Sequence, residues 1–266
     1  MIMNRLTMLA VTLMASMACF AQGKFATTIG GGKAVGDEFD YLELKYKVLD
    51  NASGYTVEVI GFSDAFQADP TLFDTSDEIT AHNTVSIPHY IGESTDVAVK
   101  TYIQSIAAGA LNTSDATLAS KVTAMTIDYV DNDKTQGLPI TIGANAFAGL
   151  TSLATVENFT PGSAIVGTAK KNSFANNVYN VAELIVPEGA IFDYSSKTGW
   201  KSFLKMSDGE SIRGDVDGDG IVDDYDYSRI IYYFNKNKYN KKYDLDGDGV
   251  VDDYDASLAV SIFNVR

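Results

Sequence analysis

Two short stretches of the chain concentrate a single functional group. Asp215, Asp217, Asp219, Asp223, Asp224 and Asp226 fall within twelve residues, and Asp244, Asp246, Asp248, Asp252, Asp253 and Asp255 repeat the pattern 29 residues later. Together they make up 12 of the 35 acidic residues. Carboxylates this close repel one another and oppose folding unless a cation sits among them. The hard cation calcium takes about six to eight oxygen ligands at about 2.3–2.6 Å, and an alternating run of Asp can supply them from one wrapped loop. The bland reading, an acidic solvated loop, would leave that repulsion with nothing to offset it.

Each run resembles the twelve-residue EF-type calcium loop. The resemblance implies ligands from positions 1, 3, 5, 7, 9 and 12. In the first copy these are Asp215, Asp217, Asp219, the Ile221 carbonyl, Asp223 and Asp226. In the second they are Asp244, Asp246, Asp248, the Val250 carbonyl, Asp252 and Asp255. Position 6, where the backbone must turn with positive φ, is Gly220 or Gly249. Position 8, Val222 or Val251, can anchor each loop to a core. Asp at position 12, and a helix after each loop, resemble the dockerin module. That resemblance implies two bound calcium ions and docking to a cohesin-like domain through the helix starts, here Asp224-Tyr225 and Asp253-Tyr254. Dockerins of the best-known type carry Ser/Thr at those positions. The duplicated tyrosines are either exposed contact anchors or partly buried against the first helix.

Elements must hold these loops. Helices are predicted from Tyr227 to Asn235 and from Ala256 to Phe263. Ile230 and Phe234 share one face of the first, Leu258 and Ile262 one face of the second. Upstream, Tyr41–Val48 and Tyr55–Phe62 alternate in period two around the turn residues Asp50–Gly54, which predicts a hairpin. Short strand-like pieces follow at Val85–Pro88, Met125–Val130 and Glu183–Pro187. Between them lie turn-like units at Ile103–Leu111 and Ile140–Phe147, with a degenerate echo at Asn172–Ala175. Ile142-Gly143-Ala144-Asn145-Ala146-Phe147-Ala148-Gly149-Leu150-Thr151-Ser152-Leu153 resembles a BspA-type leucine-rich repeat, with Leu150 in place of the family's usual Cys. Leu184–Gly189, Tyr194 and Gly199–Phe203 resemble that family's terminal segment. The resemblance implies a β-rich leucine-rich-repeat solenoid over 37–206, with Trp200 as a capping core residue. The expected fold is thus multidomain: this solenoid, then a small all-α dockerin-like calcium-binding domain at 207–266.

The 266 residues carry a net charge of −15 and are 45% hydrophobic, which fits a folded chain. Such acidity argues against nucleic acid and anionic membrane surfaces as partners. Residues 1–21 read as a secretory signal peptide, with Arg5, an apolar run from Leu6 to Ala18 and small residues before Gln22. That run is too short for a confident membrane span, so no transmembrane span is expected in the mature chain. Lipidation of Cys19 ranks lower, because Ser16-Met17-Ala18 lacks the usual Leu. Residues 22–36 read as a flexible lead-in, and Gly30-Gly31-Gly32-Lys33 lacks the phosphate-loop spacing. Cys19, the one cysteine, would leave with the signal.

Catalytic motifs are missing from the sequence. There is no G-x-S-x-G and no H-E-x-x-H, and of the two histidines, His82 and His89, the latter is expected in a surface loop. The sequence therefore predicts a secreted or cell-surface, non-catalytic binding protein docked by its tail in an extracellular assembly, for instance one that degrades polysaccharide. The alternative is a surface adhesin whose repeats bind host protein or glycan, with a merely structural tail.

Overall fold

The computed structural model describes residues 33–51, 55–68, 83–91, 101–129, 139–165 and 167–265. The expected signal peptide with Cys19, most of the lead-in, turn residues 52–54 and His82 lie outside the described residues.

Residues 38–207 form two sheets over one core. The first sheet is mixed. It starts with β1 (Glu38–Tyr41), β2 (Leu44–Asp50) and β3 (Tyr55–Phe62), each antiparallel to the next. β6 (Thr101–Ile106) then runs parallel to β3, with β5 (Tyr90–Ile91) antiparallel and β8 (Thr141–Ile142) parallel on its far side. The second sheet is wholly parallel, in the order β11 (Lys205–Ser207), β10 (Glu183–Ile185), β9 (Thr155–Asn158), β7 (Ala124–Ile127), β4 (Thr84–Ile87). Short helices α1 (Asp64–Ala68), α2 (Ala116–Lys121), α3 (Asn176–Val181) and α4 (Ile191–Ser195) connect the strands.

Period-two patterning explains which faces meet. In β2, Leu44, Tyr46 and Val48 point inward while Lys45 and Lys47 stay half-exposed, and β4 buries Val85 and Ile87 in the same way. Inward residues of both sheets join one apolar cluster with Phe147, Leu150, Phe174, Trp200 and Phe203. Trp200 is fully buried, and its indole N–H donates to Thr168 Oγ1 at 2.8 Å, so it is a core residue.

The expected fold class requires correction. No leucine-rich-repeat solenoid is present among the described residues: the body is a mixed α/β arrangement with one mixed and one parallel sheet. A solenoid stacks one unit at a constant period so that each contacts only its neighbours. Here the parallel strands begin at residues 84, 124, 155, 183 and 205, an uneven series. The segment Ile142–Leu153 supplies only the second residue of the two-residue β8, and its apolar side chains enter the shared core. Nor is the tail all-α, since each of its helices follows an irregular loop of comparable length.

His89 also departs from expectation. It is 1% exposed, with its ring edge-on to Tyr102 and Tyr129 at 5.9 and 6.0 Å between centroids. The sharp turn between β4 and β5 folds it inward, and its carbonyl accepts the Ile103 N–H at 3.0 Å.

A second apolar cluster lies beyond residue 207. It is built from Val216, Val222, Ile230, Tyr243, Leu245, Val251, Ala256, Leu258, Ala259 and Ile262, with Leu204 and Ile212 packed against it. Two helices carry much of it, α5 (Asp224–Asn235) and α6 (Asp253–Phe263).

Candidate metal centre and docking face

Each Asp-rich loop is organised by its own backbone amides. Asp215 Oδ1 accepts from Gly218 N at 2.6 Å and Oδ2 from Gly220 N at 2.8 Å, while Asp217 and Asp219 accept from the amides two residues on. The second loop repeats this with one change, the amide of Asp248 and not that of Gly247 serving Asp244 Oδ1. Asp244 accepts from Asp248 N at 3.1 Å and Gly249 N at 2.9 Å, Asp246 from Asp248 N, and Asp248 from Val250 N. Such short-range turns curl a chain so that alternate carboxylates converge. Gly220 and Gly249 have the positive φ expected at position 6, +86° and +94°.

The last Asp closes each loop from behind. Asp226 Oδ1 accepts from Val216 N at 2.7 Å and Asp217 N at 3.2 Å, and its Oδ2 from Asp223 N at 2.9 Å. Asp255 does the same for Leu245 N, Asp246 N and Asp252 N at 2.7, 3.4 and 2.8 Å. Both carboxylates are 1% exposed. Asp223 and Asp252 are the N-caps of α5 and α6, each accepting the amide of the following tyrosine at 2.8 Å within a reciprocal capping box. Val222 and Val251 are buried beneath, as position 8 requires.

Carboxylate oxygens of Asp215, Asp217 and Asp219 lie within 4.8 Å of one another, as do those of Asp244, Asp246 and Asp255. The first group lacks Asp226 and the second lacks Asp248. Asp223 and Asp252 serve the helix caps, while Ile221 and Val250 turn their side chains to solvent at 46% and 52% exposure. The donor set fits a hard cation, since every converging atom is a carboxylate oxygen. Electrostatics agree for the second loop. Burial lifts the Asp255 carboxyl to about 6, and burial followed by the charge of Asp248 raises Asp246. A cation among these oxygens would remove that penalty.

The candidate contact residues are accessible. Asp224 and Asp253 are exposed, and Tyr225 and Tyr254 are 56% and 58% exposed. Of the two sequence alternatives for the tyrosines, exposure holds. Tyr225 lies under the Arg229 guanidinium, 4.9 Å from ring centroid to Cζ. The shared serines hold the helix starts, with Ser228 and Ser257 hydroxyls donating to the Asp224 and Asp253 carbonyls at 2.7 and 2.8 Å.

Two features escaped the sequence. Gly218 and Gly247, at position 4, also need positive φ, +84° and +69°; the repeated Asp-Gly pairs could have signalled this. Arg213 gave no signal. It is 3% exposed, and burial pulls its guanidinium down to about 10.

No helix among the described residues is long and apolar enough to cross a membrane. No curated protein and no solved structure matches the chain. Residues 213–260 match the family model of the dockerin type I domain, a non-catalytic type of module that binds calcium.

Proposed function

We propose that residues 207–266 form a module that binds two calcium ions and docks the chain to a cohesin-like domain of an extracellular partner. Asp215, Asp217, Asp219, the Ile221 carbonyl, Asp223 and Asp226 would hold the first ion. Asp244, Asp246, Asp248, the Val250 carbonyl, Asp252 and Asp255 would hold the second. Calcium would neutralise the clustered carboxylates and cross-link each loop, so ion binding and folding of the tail are one process. The observation that carries the reading is the duplication: two Asp-rich loops of nearly the same internal bonding, each ending in a capped helix that presents an exposed Asp-Tyr pair.

The loops would act on docking indirectly, by fixing where α5 and α6 begin. Tyr225 and Tyr254 offer rigid, amphipathic contact area at little entropic cost, as tyrosines do at interface centres. The direct test is capture of the full chain by immobilised cohesin domains, in calcium and then in EDTA. Retention in calcium and release in EDTA support the reading. Retention in both, or in neither, sinks it. Tyr225→Ala with Tyr254→Ala should weaken capture at least about tenfold, the loss of two contacts each worth about 1 kcal/mol or more, while calcium binding is unchanged.

A further inference from the structure

The two loops share a sequence but not surroundings. Gly218 and Gly247 occupy the same loop position. A Cβ at Gly218 would meet nothing within 4 Å, whereas one at Gly247 would lie 2.7 Å from Ser196 Cβ and 3.1 Å from both Phe192 O and Ser196 N. The second loop therefore rests directly on the end of α4 (Ile191–Ser195). Just ahead of that loop, Lys241 Nζ stands 4.3 Å from the centroid of the Phe192 ring. Asp244 is 3% exposed, while Asp215 is half-exposed.

Arg213 ties the same two parts together. Its Nε–H donates to the Leu245 carbonyl at 2.8 Å, and Nη1 donates to the Phe203 carbonyl at 2.8 Å and the Lys201 carbonyl at 3.4 Å. Leu245 lies between Asp244 and Asp246, and its own amide donates to Asp255. One buried guanidinium thus fixes the backbone between candidate ligands to the segment that follows Trp200. If the second loop opened, Arg213 would lose the Leu245 acceptor while still buried, which is strongly unfavourable for a charged donor.

We propose that calcium binding at the second loop and docking of the tail onto residues 191–206 are one linked event, with Arg213 as positioning residue, and that the first loop binds calcium independently of the body. The proposal rests on the calcium reading above. By linkage, a body that holds the second loop closed raises its calcium affinity, and calcium there strengthens the docking by the same factor.

The matched substitutions Gly247→Ala and Gly218→Ala in the full chain test this. Both place Ala in the left-handed region, so backbone strain is common to them. Only Gly247→Ala pushes a loop off the body. Calcium titration by calorimetry would read the sites, and amide exchange over 191–206, with and without EDTA, would read the docking. EDTA is expected to speed exchange over 191–206 in the parent chain. Gly247→Ala is expected to speed it even in calcium and to weaken one site further than Gly218→Ala weakens the other, by a factor in the usual coupling range of about 5–150. Gly218→Ala should leave 191–206 protected. Arg213→Lys, which keeps charge but not the fork, should follow Gly247→Ala; if it does not fold, the glycine pair still decides. Two bound ions with exchange over 191–206 indifferent to EDTA, or equal effects of the two glycine variants, would overturn the coupling. A parent chain that binds no calcium would overturn the calcium reading and the coupling with it.

Discussion

At the residue scale, the closing aspartates do more than contribute a charge. Asp226 and Asp255 each accept three backbone amides, so their role survives without an ion. Asp255→Asn keeps one acceptor oxygen but turns the other into a donor facing the Asp252 N–H. A buried donor left unpaired costs about 1–3 kcal/mol. The expected outcome is a lowered melting temperature in EDTA as well as in calcium. Asp219→Asn, at a position that is exposed and accepts only the Ile221 amide, should weaken calcium binding but leave the EDTA melt nearly unchanged. Paired thermal melts of the two variants in both buffers check this; equal behaviour in EDTA would reduce Asp255 to a ligand and nothing more.

At the element scale, helix stability in the tail depends on a core of few residues. Ile230 is fully buried on α5, and truncation of such a side chain costs about 2–5 kcal/mol, a large part of what a domain this small can hold. Ile230→Ala should therefore unfold α5 and α6 together, read by loss of helical circular dichroism. Phe234, paired with Ile230 on sequence spacing, is 37% exposed at the end of the helix, and Phe234→Ala should cost under about 1 kcal/mol. The same contrast shows what the sequence made legible. Period two was enough to place β2 and β3, short strand-like runs marked β4, β7 and β10, and the Asp spacing marked the loops and the helices after them, because these signals are local. The β1–β2 hairpin was hidden: it turns at Leu42-Glu43, with Leu42 at φ +52°, and no Gly, Asn or Asp announces it. The sheet order was hidden too, since a parallel pairing such as β3 with β6 joins strands with no turn between them to read. Arg213 lay beyond reach because a surface Arg and one that reads three carbonyls look alike until tertiary structure surrounds them.

At the scale of the molecule, charge decides how the chain responds to its medium. The net charge is −15, and twelve of its carboxylates lie in the two loops. Without calcium, their mutual repulsion opposes the tail fold, and Arg213 is a buried counter-charge to the second loop only. Added salt screens that repulsion, with a Debye length that falls from about 10 Å at about 0.1 M to about 3 Å at about 1 M. With calcium about a hundredfold above its dissociation constant, each occupied loop adds about 2.7 kcal/mol, and the charges are already paired. Sodium chloride should therefore raise the melting temperature of the tail in EDTA and change it little in saturating calcium. Circular dichroism melts at about 0.1 and about 1 M salt test this, with the tail followed through its helices. An equal salt response in the two states would mean that repulsion among the aspartates is not what calcium relieves, and the stability gained on binding would then have to come from ordering the loops themselves.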